Sequence, residues 1–227
     1  MAEYSPEEVK QRYVAAMGKD LGEVFHLLWN ECTWLHWKWS DYETLFGTKP
    51  ERVDLLNQAA PSFFWIVQDA MWRDILLHLC RLTDPPKSCG KDTLTLRRVP
   101  DLVPLRLRPK VDLLLREILR KSEFARDWRN RLIAHTDLDH ALDRRAAPIK
   151  SASRRKIKDV LEAIVEFLNY IENEYCNSES MYLETSPGSA HMLLRVLRNG
   201  VDAEEARRER LRSGKPLPTD LRPPTAV

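Results

Sequence analysis

The sequence has little glycine, little cysteine and no long apolar run. Its 227 residues include only 7 glycines, which disfavours a sheet-rich fold with many tight turns. The 4 cysteines are widely scattered and form no C-x-x-C pair, so we expect reduced thiols rather than a disulfide or zinc framework. No run of about 18 apolar residues occurs, so no membrane-spanning helix is predicted. These absences favour a helical protein.

An excess of charge of one sign is also lacking. The chain has 36 Lys and Arg residues against 34 Asp and Glu residues, a net charge of +2. This balance does not predict a surface that is basic throughout, so any contact with RNA must be local. Residues 4–10 are charged and contain no apolar core of a secretory signal. We therefore expect a cytoplasmic protein with no membrane partner.

Apolar residues recur at helical spacing along most of the chain, which predicts an all-α fold of four to five long helices around one core. In the segment 61–82 the apolar side chains nearly encircle the axis, which predicts a central helix covered on most sides. Residues 87–109 carry three prolines and are predicted to form a loop. The predicted helices begin near Ser5 and Ser122 and span residues 20–46, 61–82, 111–119, 153–176 and 189–211.

The same pattern predicts the domain organisation. Residues 1–180 are expected to form the main helical domain, because they contain the predicted core helices and all 7 tryptophans. Residues 181–212 are expected to add one C-terminal helix with a highly charged end. Residues 213–227 include four prolines and are predicted to be a disordered tail.

The heptapeptide from Arg129 to His135 reads Arg-Asn-Arg-Leu-Ile-Ala-His and combines two guanidinium groups, an amide and an imidazole. A guanidinium can bind a phosphate through two hydrogen bonds, and an imidazole can move a proton near neutral pH. These groups are the minimum that RNA cleavage without a metal requires. On an α-helix Arg131 and His135 share a face, whereas Arg129 and His135 point about 120° apart. Arg129 therefore needs a helix end or a second copy of the chain to join the histidine.

The pattern Arg-Asn-x-x-x-x-His resembles the Arg-x(4–6)-His signature of the HEPN family, in which Asn, Asp or His usually follows the arginine. Three flanking segments are similar to the branch found in bacterial abortive-infection and toxin–antitoxin systems, and the likeness covers roughly residues 20–176. The resemblance implies a HEPN-like helical bundle to which the last helix is an addition. The three segments are Phe64–Ala70, Leu79–Pro85 and Ile133–Asp137.

The resemblance also implies an activity, which is metal-independent endoribonuclease cleavage in phage defence or as a toxin. His135 would act as general acid or base, and Arg129, with Arg131, would stabilise the charge on the five-coordinate phosphorus. Asn130 would orient the site by hydrogen bonding. The products would carry a 2′,3′-cyclic phosphate, and DNA would not be cut. Because one histidine cannot act on both sides of a phosphate, the family's homodimer would supply a second one.

Other charged residues near the heptapeptide are weaker candidates. Arg131, Arg154 and Arg155 are expected to contact RNA phosphates, and the last two begin a predicted helix. Arg81 and Asp84 are expected to be structural, with Arg81 binding a carboxylate and Asp84 ending its helix. A further group resembles a metal cluster but does not share one helix face, so we expect neither a metal nor another cofactor. That group consists of His135, Asp137, Asp139 and His140.

One position departs from the family pattern. Many HEPN toxins paired with a nucleotidyltransferase antitoxin carry a modified tyrosine two positions after the histidine, and here that position is Asp137. An antitoxin of that kind is therefore not expected, although another antitoxin or regulatory protein remains open. Two alternative functions also remain open. They are a non-catalytic HEPN module that binds RNA or a nucleotide, and an all-α dimeric scaffold.

Overall fold

The computed structural model describes residues 5–47, 49–88, 90–134, 138, 142, 148–182 and 189–221. Backbone contacts divide the chain into two units. Unit 1 comprises residues 1–40 and 71–184, and unit 2 comprises residues 41–70 and 185–227.

Four helices form the first part of the chain. They are α1 (Pro6–Met17), α2 (Lys19–Phe46), α3 (Pro50–Ala59) and α4 (Pro61–Thr83). In the described part of the chain, five more helices follow a β-hairpin and a 3₁₀ turn at Leu96–Arg98. The hairpin has two strands of two residues each, β1 (Lys87–Ser88) and β2 (Lys91–Asp92). These helices are α5 (Val99–Leu102), α6 (Arg108–Lys121), α7 (Glu123–Trp128), α8 (Arg154–Cys176) and α9 (Ala190–Arg212). A π-helical turn at Arg129–Ile133 directly follows α7.

The helices α1 and α2 approach closely where Gly22 lies against Val14. Ser5 and Glu8 cap the start of α1 reciprocally, each side chain accepting from the other residue's backbone N–H. Gly18 joins the two helices with a φ of 81°, a conformation that side chains disfavour. At Gly22 a Cβ atom would lie 2.5 Å from the Cα of Val14. The close approach of α1 and α2 therefore requires glycine at position 22.

The core of unit 1 is built from the apolar stripes that the periodicity predicts. α6 packs along α8, and α1 also contacts α8. Fully buried side chains come from α2, α4, α6 and α8, so one continuous core lies beneath these helices. Its largest members include Phe25, Leu28, Leu76, Leu79, Ile118 and Phe167.

The loop between α4 and α5 is held against the end of α4. The Thr95 hydroxyl lies 3.0 Å from the carbonyl oxygen of Leu82 and 2.8 Å from that of Asp84. Arg98 donates to the carbonyl oxygens of Thr93 and Pro86. These side chains satisfy backbone acceptors at and beyond the helix end, where no helical partner exists.

Unit 2 contains the contact between α3 and α9, and its buried residues include Leu55, Leu56 and Leu194. After α9 the chain turns back, and Asp220, only 4% exposed, accepts hydrogen bonds from Arg210. The carboxyl group of Asp220 has a pKa lowered to about 2, chiefly because Arg210 donates to it.

The beginning of α4 differs from the sequence prediction. The side chains of Phe63, Trp65 and Ile66 are 60%, 71% and 59% exposed. The expectation that α4 is covered on most sides is therefore wrong for its first turns. It holds for the second half, where Ile75, Leu76 and Leu79 are fully buried.

The all-α prediction is confirmed, and the predicted long helices correspond to α2, α4, α6, α8 and α9. The short helix α3 was not predicted. The division at residues 180 and 212 stays a prediction. Among the helices that the structure describes, none has both the length and the apolarity to cross a bilayer.

Candidate active site

The first part of the heptapeptide forms a π turn rather than the α-helical turn that the face argument assumes. The backbone N–H of Ala134 donates to the carbonyl oxygen of Arg129 at 2.8 Å, a bond that spans five residues. π turns occur mostly as single turns that interrupt α-helices, often at functional sites. The predicted 120° separation, which rests on α-helical rotation, therefore does not apply across residues 129–133.

The guanidinium of Arg129 is held on two sides. Its Nη1 donates to both carboxylate oxygens of Asp84, at 2.8 and 2.7 Å. Its Nε donates to Oδ1 of Asn130 at 3.1 Å. Nη2 makes no hydrogen bond to any residue that the structure describes, and the side chain is 26% exposed. One edge of the guanidinium is thus oriented by protein, and the other can donate to a ligand.

Asp84 lies directly after the last residue of α4, where it binds two arginines. Besides Arg129, the Nη2 of Arg126 lies 3.6 Å from Oδ1 of Asp84. The same Nη2 donates to the carbonyl and hydroxyl oxygens of Thr83. Two guanidinium groups and one carboxylate leave an excess of positive charge at the end of α4. Such an excess favours an anionic ligand.

A thiol lies beneath these arginines but is not a nucleophile. Cys80 is buried, and burial raises the pKa of its thiol to about 11, although Arg129 and Arg126 act in the opposite direction. At neutral pH the group therefore stays protonated. Its role is packing.

The rest of the π turn is anchored by contacts within unit 1. Trp128 Nε1 donates to the carbonyl oxygen of Lys150 at 2.8 Å, and the N–H of Lys150 donates to Asp127 at 2.7 Å. Arg131 Nη1 lies 4.0 Å from Oδ1 of Asp127. The carbonyl oxygen of Leu132 accepts from Arg73 at 3.5 Å. The turn is therefore tied to α4 and to the segment that precedes α8.

The structure brings only some of the predicted site residues together. Arg129 and Asn130 are in direct contact, and Arg131 pairs with Asp127 instead of joining them. Arg154 and Arg155 are exposed in the first turn of α8. His135, predicted to be the acid or base, lies outside the described residues.

Sequence reasoning missed two contributors to the site. Asp84 was expected only to end its helix, and Arg126 was not considered. Their partners lie 45 and 43 positions away, so no local spacing indicated them. Arg81 has its Nη2 4.0 Å from Glu31 Oε2, as expected for a structural arginine.

No group of three His, Cys, Asp or Glu residues suited to a metal occurs within the described part of the chain. The four residues considered as ligands, His135, Asp137, Asp139 and His140, fall outside that part. Three of the four cysteines lie in the described part of the chain. These three, Cys32, Cys80 and Cys176, form no disulfide there.

A match to a protein-family model assigns this all-α chain to a class of protein, the HEPN proteins. The model of one HEPN family, described as AbiU2, matches residues 18–194, which is well over half of the chain. The chain belongs to this abortive-infection family. No curated protein and no solved structure matches it significantly.

Proposed function

We propose that the chain is a metal-independent endoribonuclease that acts in abortive infection or as a toxin in the cytoplasm. The observation that supports the proposal is the set of hydrogen bonds made by Arg129. Asp84 and Asn130 orient its guanidinium, while Nη2 has no partner among the described residues. An oriented donor with a free edge is suited to a phosphate whose negative charge increases during reaction.

The reaction follows from the groups in the heptapeptide. The ribose 2′-oxygen attacks the neighbouring phosphorus while its proton passes to the imidazole of His135. The bond from phosphorus to the 5′-oxygen breaks, and that oxygen takes a proton from a second imidazole. Arg129 Nη2 donates to a non-bridging oxygen of the five-coordinate phosphorus. The products are a 2′,3′-cyclic phosphate and a 5′-hydroxyl, and no metal takes part.

Asn130 and Asp84 act on the reaction through Arg129. The contact from Arg129 Nε to Asn130 and the contacts from Nη1 to Asp84 restrict the rotation of the guanidinium. A restricted donor loses less entropy when it binds the phosphate, so its interaction is stronger in the transition state. We assign both residues as positioning residues.

A second copy of the chain completes this mechanism. The base that removes the 2′ proton and the acid that protonates the 5′-oxygen lie on opposite sides of the phosphorus. One chain offers one histidine in the heptapeptide. We therefore propose a homodimer in which both copies of His135 act on one phosphodiester.

Incubation of purified protein with total cellular RNA in EDTA tests the proposal. Wild type should cut RNA and leave 2′,3′-cyclic phosphate ends, and His135→Ala should fold normally and leave RNA intact. His191→Ala, which changes an exposed histidine of α9, is the matched control and should cut like wild type. If wild type and His135→Ala leave RNA equally intact, the ribonuclease proposal is wrong.

A non-catalytic RNA-binding module is the second candidate, favoured by the exposed Arg154 and Arg155 at the start of α8. It predicts RNA retention that survives His135→Ala and weakens with salt, without any cleavage by wild type. The two candidates therefore differ in one measurement, the integrity of bound RNA.

A further inference from the structure

A surface cleft of about 300 Å³ lies in unit 1 where α6 ends, α7 begins and α8 begins. Phe124 lies in its wall, and the Nζ of Lys156 lies 5.8 Å from the centre of that ring. Four of its lining residues are cations. The lining residues are Arg120, Lys121, Glu123, Phe124, Lys150, Lys156 and Asp159.

The carboxylates in the cleft do not balance its cations. Four basic residues line it against two acidic ones, in a chain whose net charge is only +2. Arg120 and Lys121 pair with Glu117, at 2.6 and 3.7 Å, and Lys150 pairs with Glu123 at 2.8 Å. Lys156 Nζ donates instead to the neutral oxygens of Ser151. With Glu117 counted, four cations face three carboxylates, and Lys156 is the lining cation without a carboxylate partner among the described residues.

The first turn of α8 adds charge where a helix disfavours it. Its first three residues are Arg154, Arg155 and Lys156, and the turn contains no acidic residue. The N-terminal end of a helix carries a partial positive charge, so cations there reduce stability. The basic first turn beside the cleft therefore destabilises the protein without a ligand, and a bound anion would relieve this repulsion.

The cleft is connected to the heptapeptide through Lys150 and α7. The side chain of Lys150 lines the cleft, while its backbone N–H and C=O bind Asp127 and Trp128 at the other end of α7. α7 has 6 residues, a length of about 9 Å at 1.5 Å per residue. That distance is short enough for one or two nucleotides of a strand to span.

We propose that this cleft binds the phosphodiester groups of single-stranded RNA next to the bond that is cut. The proposal rests on the proposed function for the identity of the strand. The cleft binds phosphates as charges and does not read bases, because lysine ammonium groups are point donors without a fixed fork. It therefore sets the affinity and the salt dependence of RNA binding, and Arg129 and His135 set the chemistry.

The test measures RNA binding separately from cleavage. A labelled single-stranded RNA is titrated with the His135→Ala protein at several salt concentrations, with and without Lys121→Gln, Lys150→Gln and Lys156→Gln together. Loss of three phosphate contacts should lower the slope of log K against log salt by about 2, and raise Kd on the order of 10- to 100-fold near 0.1 M salt. Single-stranded DNA should show the same loss.

The matched control changes three exposed lysines elsewhere, Lys19→Gln, Lys49→Gln and Lys215→Gln, which alters net charge equally. It should leave the slope within about 0.5 of the parent value. Equal losses in the two triple variants would overturn the cleft as a site. Loss only in the cleft variant, together with a wild type that cuts nothing, would support the cleft and refute the nuclease proposal.

Discussion

Two carboxylates, Asp84 and Glu172, stand near the C-terminal ends of long helices and bind different groups. Asp84 follows α4, is a quarter exposed and binds arginines. Glu172 lies in α8, is 4% exposed and accepts hydrogen bonds from three hydroxyl groups. The donors to Glu172 are Tyr13 at 3.2 Å, Ser178 at 3.2 Å and Ser180 at 2.7 Å.

The partners of these two carboxylates indicate different roles. Glu172 holds the residues that follow α8, where Ser180 also binds Trp29 and Asn169. All of its partners are held inside unit 1, so its loss should affect stability. Asp84 instead orients Arg129, whose Nη2 makes no hydrogen bond to any described residue. A carboxylate that orients an open donor should affect activity more than stability.

The largest effect is expected for Arg129→Ala. Removing the donor to the five-coordinate phosphorus should lower the cleavage rate by about 10²- to 10³-fold. Arg106→Ala removes an arginine that pairs with Glu174 outside the site and is the matched control. Single-turnover cleavage of a defined RNA measures both, and equal losses in the two variants would contradict the special role of Arg129.

Acid should lower the stability of unit 1, which contains Glu172, through the protonation of His36. Burial lowers the pKa of His36 from 6.5 to about 4, and its ring stacks on Tyr182 with centroids 5.2 Å apart. Below pH 6.5 His36 is protonated in the unfolded chain but stays neutral in the folded protein. The free energy of unfolding should therefore fall as pH drops from 6.5 to about 4, by up to roughly 3 kcal/mol.

Urea unfolding at pH 7, 6, 5 and 4 measures this slope. His36→Gln should reduce it without abolishing it, because burial also lowers the pKa of His78 to about 4. His191→Gln, at an exposed position, should not change it. A slope that His36→Gln leaves unchanged would show that other groups cause the acid sensitivity.

Glu172→Gln should destabilise the protein without changing its chemistry. The amide retains one acceptor oxygen but places a donor among hydroxyl groups, which should lower the free energy of unfolding by about 1–3 kcal/mol. Urea unfolding measures the change, and single-turnover cleavage well below the melting temperature should match wild type. If Glu172→Gln cut RNA more slowly but kept its stability, the structural role assigned to Glu172 would be wrong.

The smallest effect is expected for Asp84→Asn. The amide keeps the shape but loses the charge that orients Nη1 of Arg129, so kcat should fall about tenfold, or about 1.4 kcal/mol in the barrier. Because the ion pair is partly exposed, the free energy of unfolding should change by less than about 1 kcal/mol. Binding of uncut RNA by Asp84→Asn in the His135→Ala background should not weaken. Weaker binding without a lower rate would remove Asp84 from the mechanism.

The sequence predicted the long helices because each carries an apolar stripe that a local window can detect. It missed α3, a helix of 10 residues that begins at Pro50 and buries only Leu55 and Leu56. The apolar residues at the start of α4 predicted burial, yet apolar composition alone does not say which partner covers a helix. In this chain that difference concerns Phe63, Trp65 and Ile66.

The candidate site was predicted only in part. Arg129 and Asn130 were identified by residue type and by resemblance, and their mutual contact is local. The ion pair of Arg129 with Asp84 joins residues 45 positions apart, which spacing along one helix cannot show. The π turn likewise has no periodic signal, because one wide turn is shorter than the window in which periodicity is measured.

The wide turn at residues 129–133 has a consequence for insertions and deletions. The π turn closes its hydrogen bond over five residues, whereas the turns of the preceding helix α7 close theirs over four. The π turn therefore contains one more residue than an α-helical turn. An insertion or deletion of one residue can therefore be accommodated in this turn without breaking the ion pair of Asp84 with Arg129. A signature whose spacing between arginine and histidine varies by one or two positions is compatible with such a helix interruption.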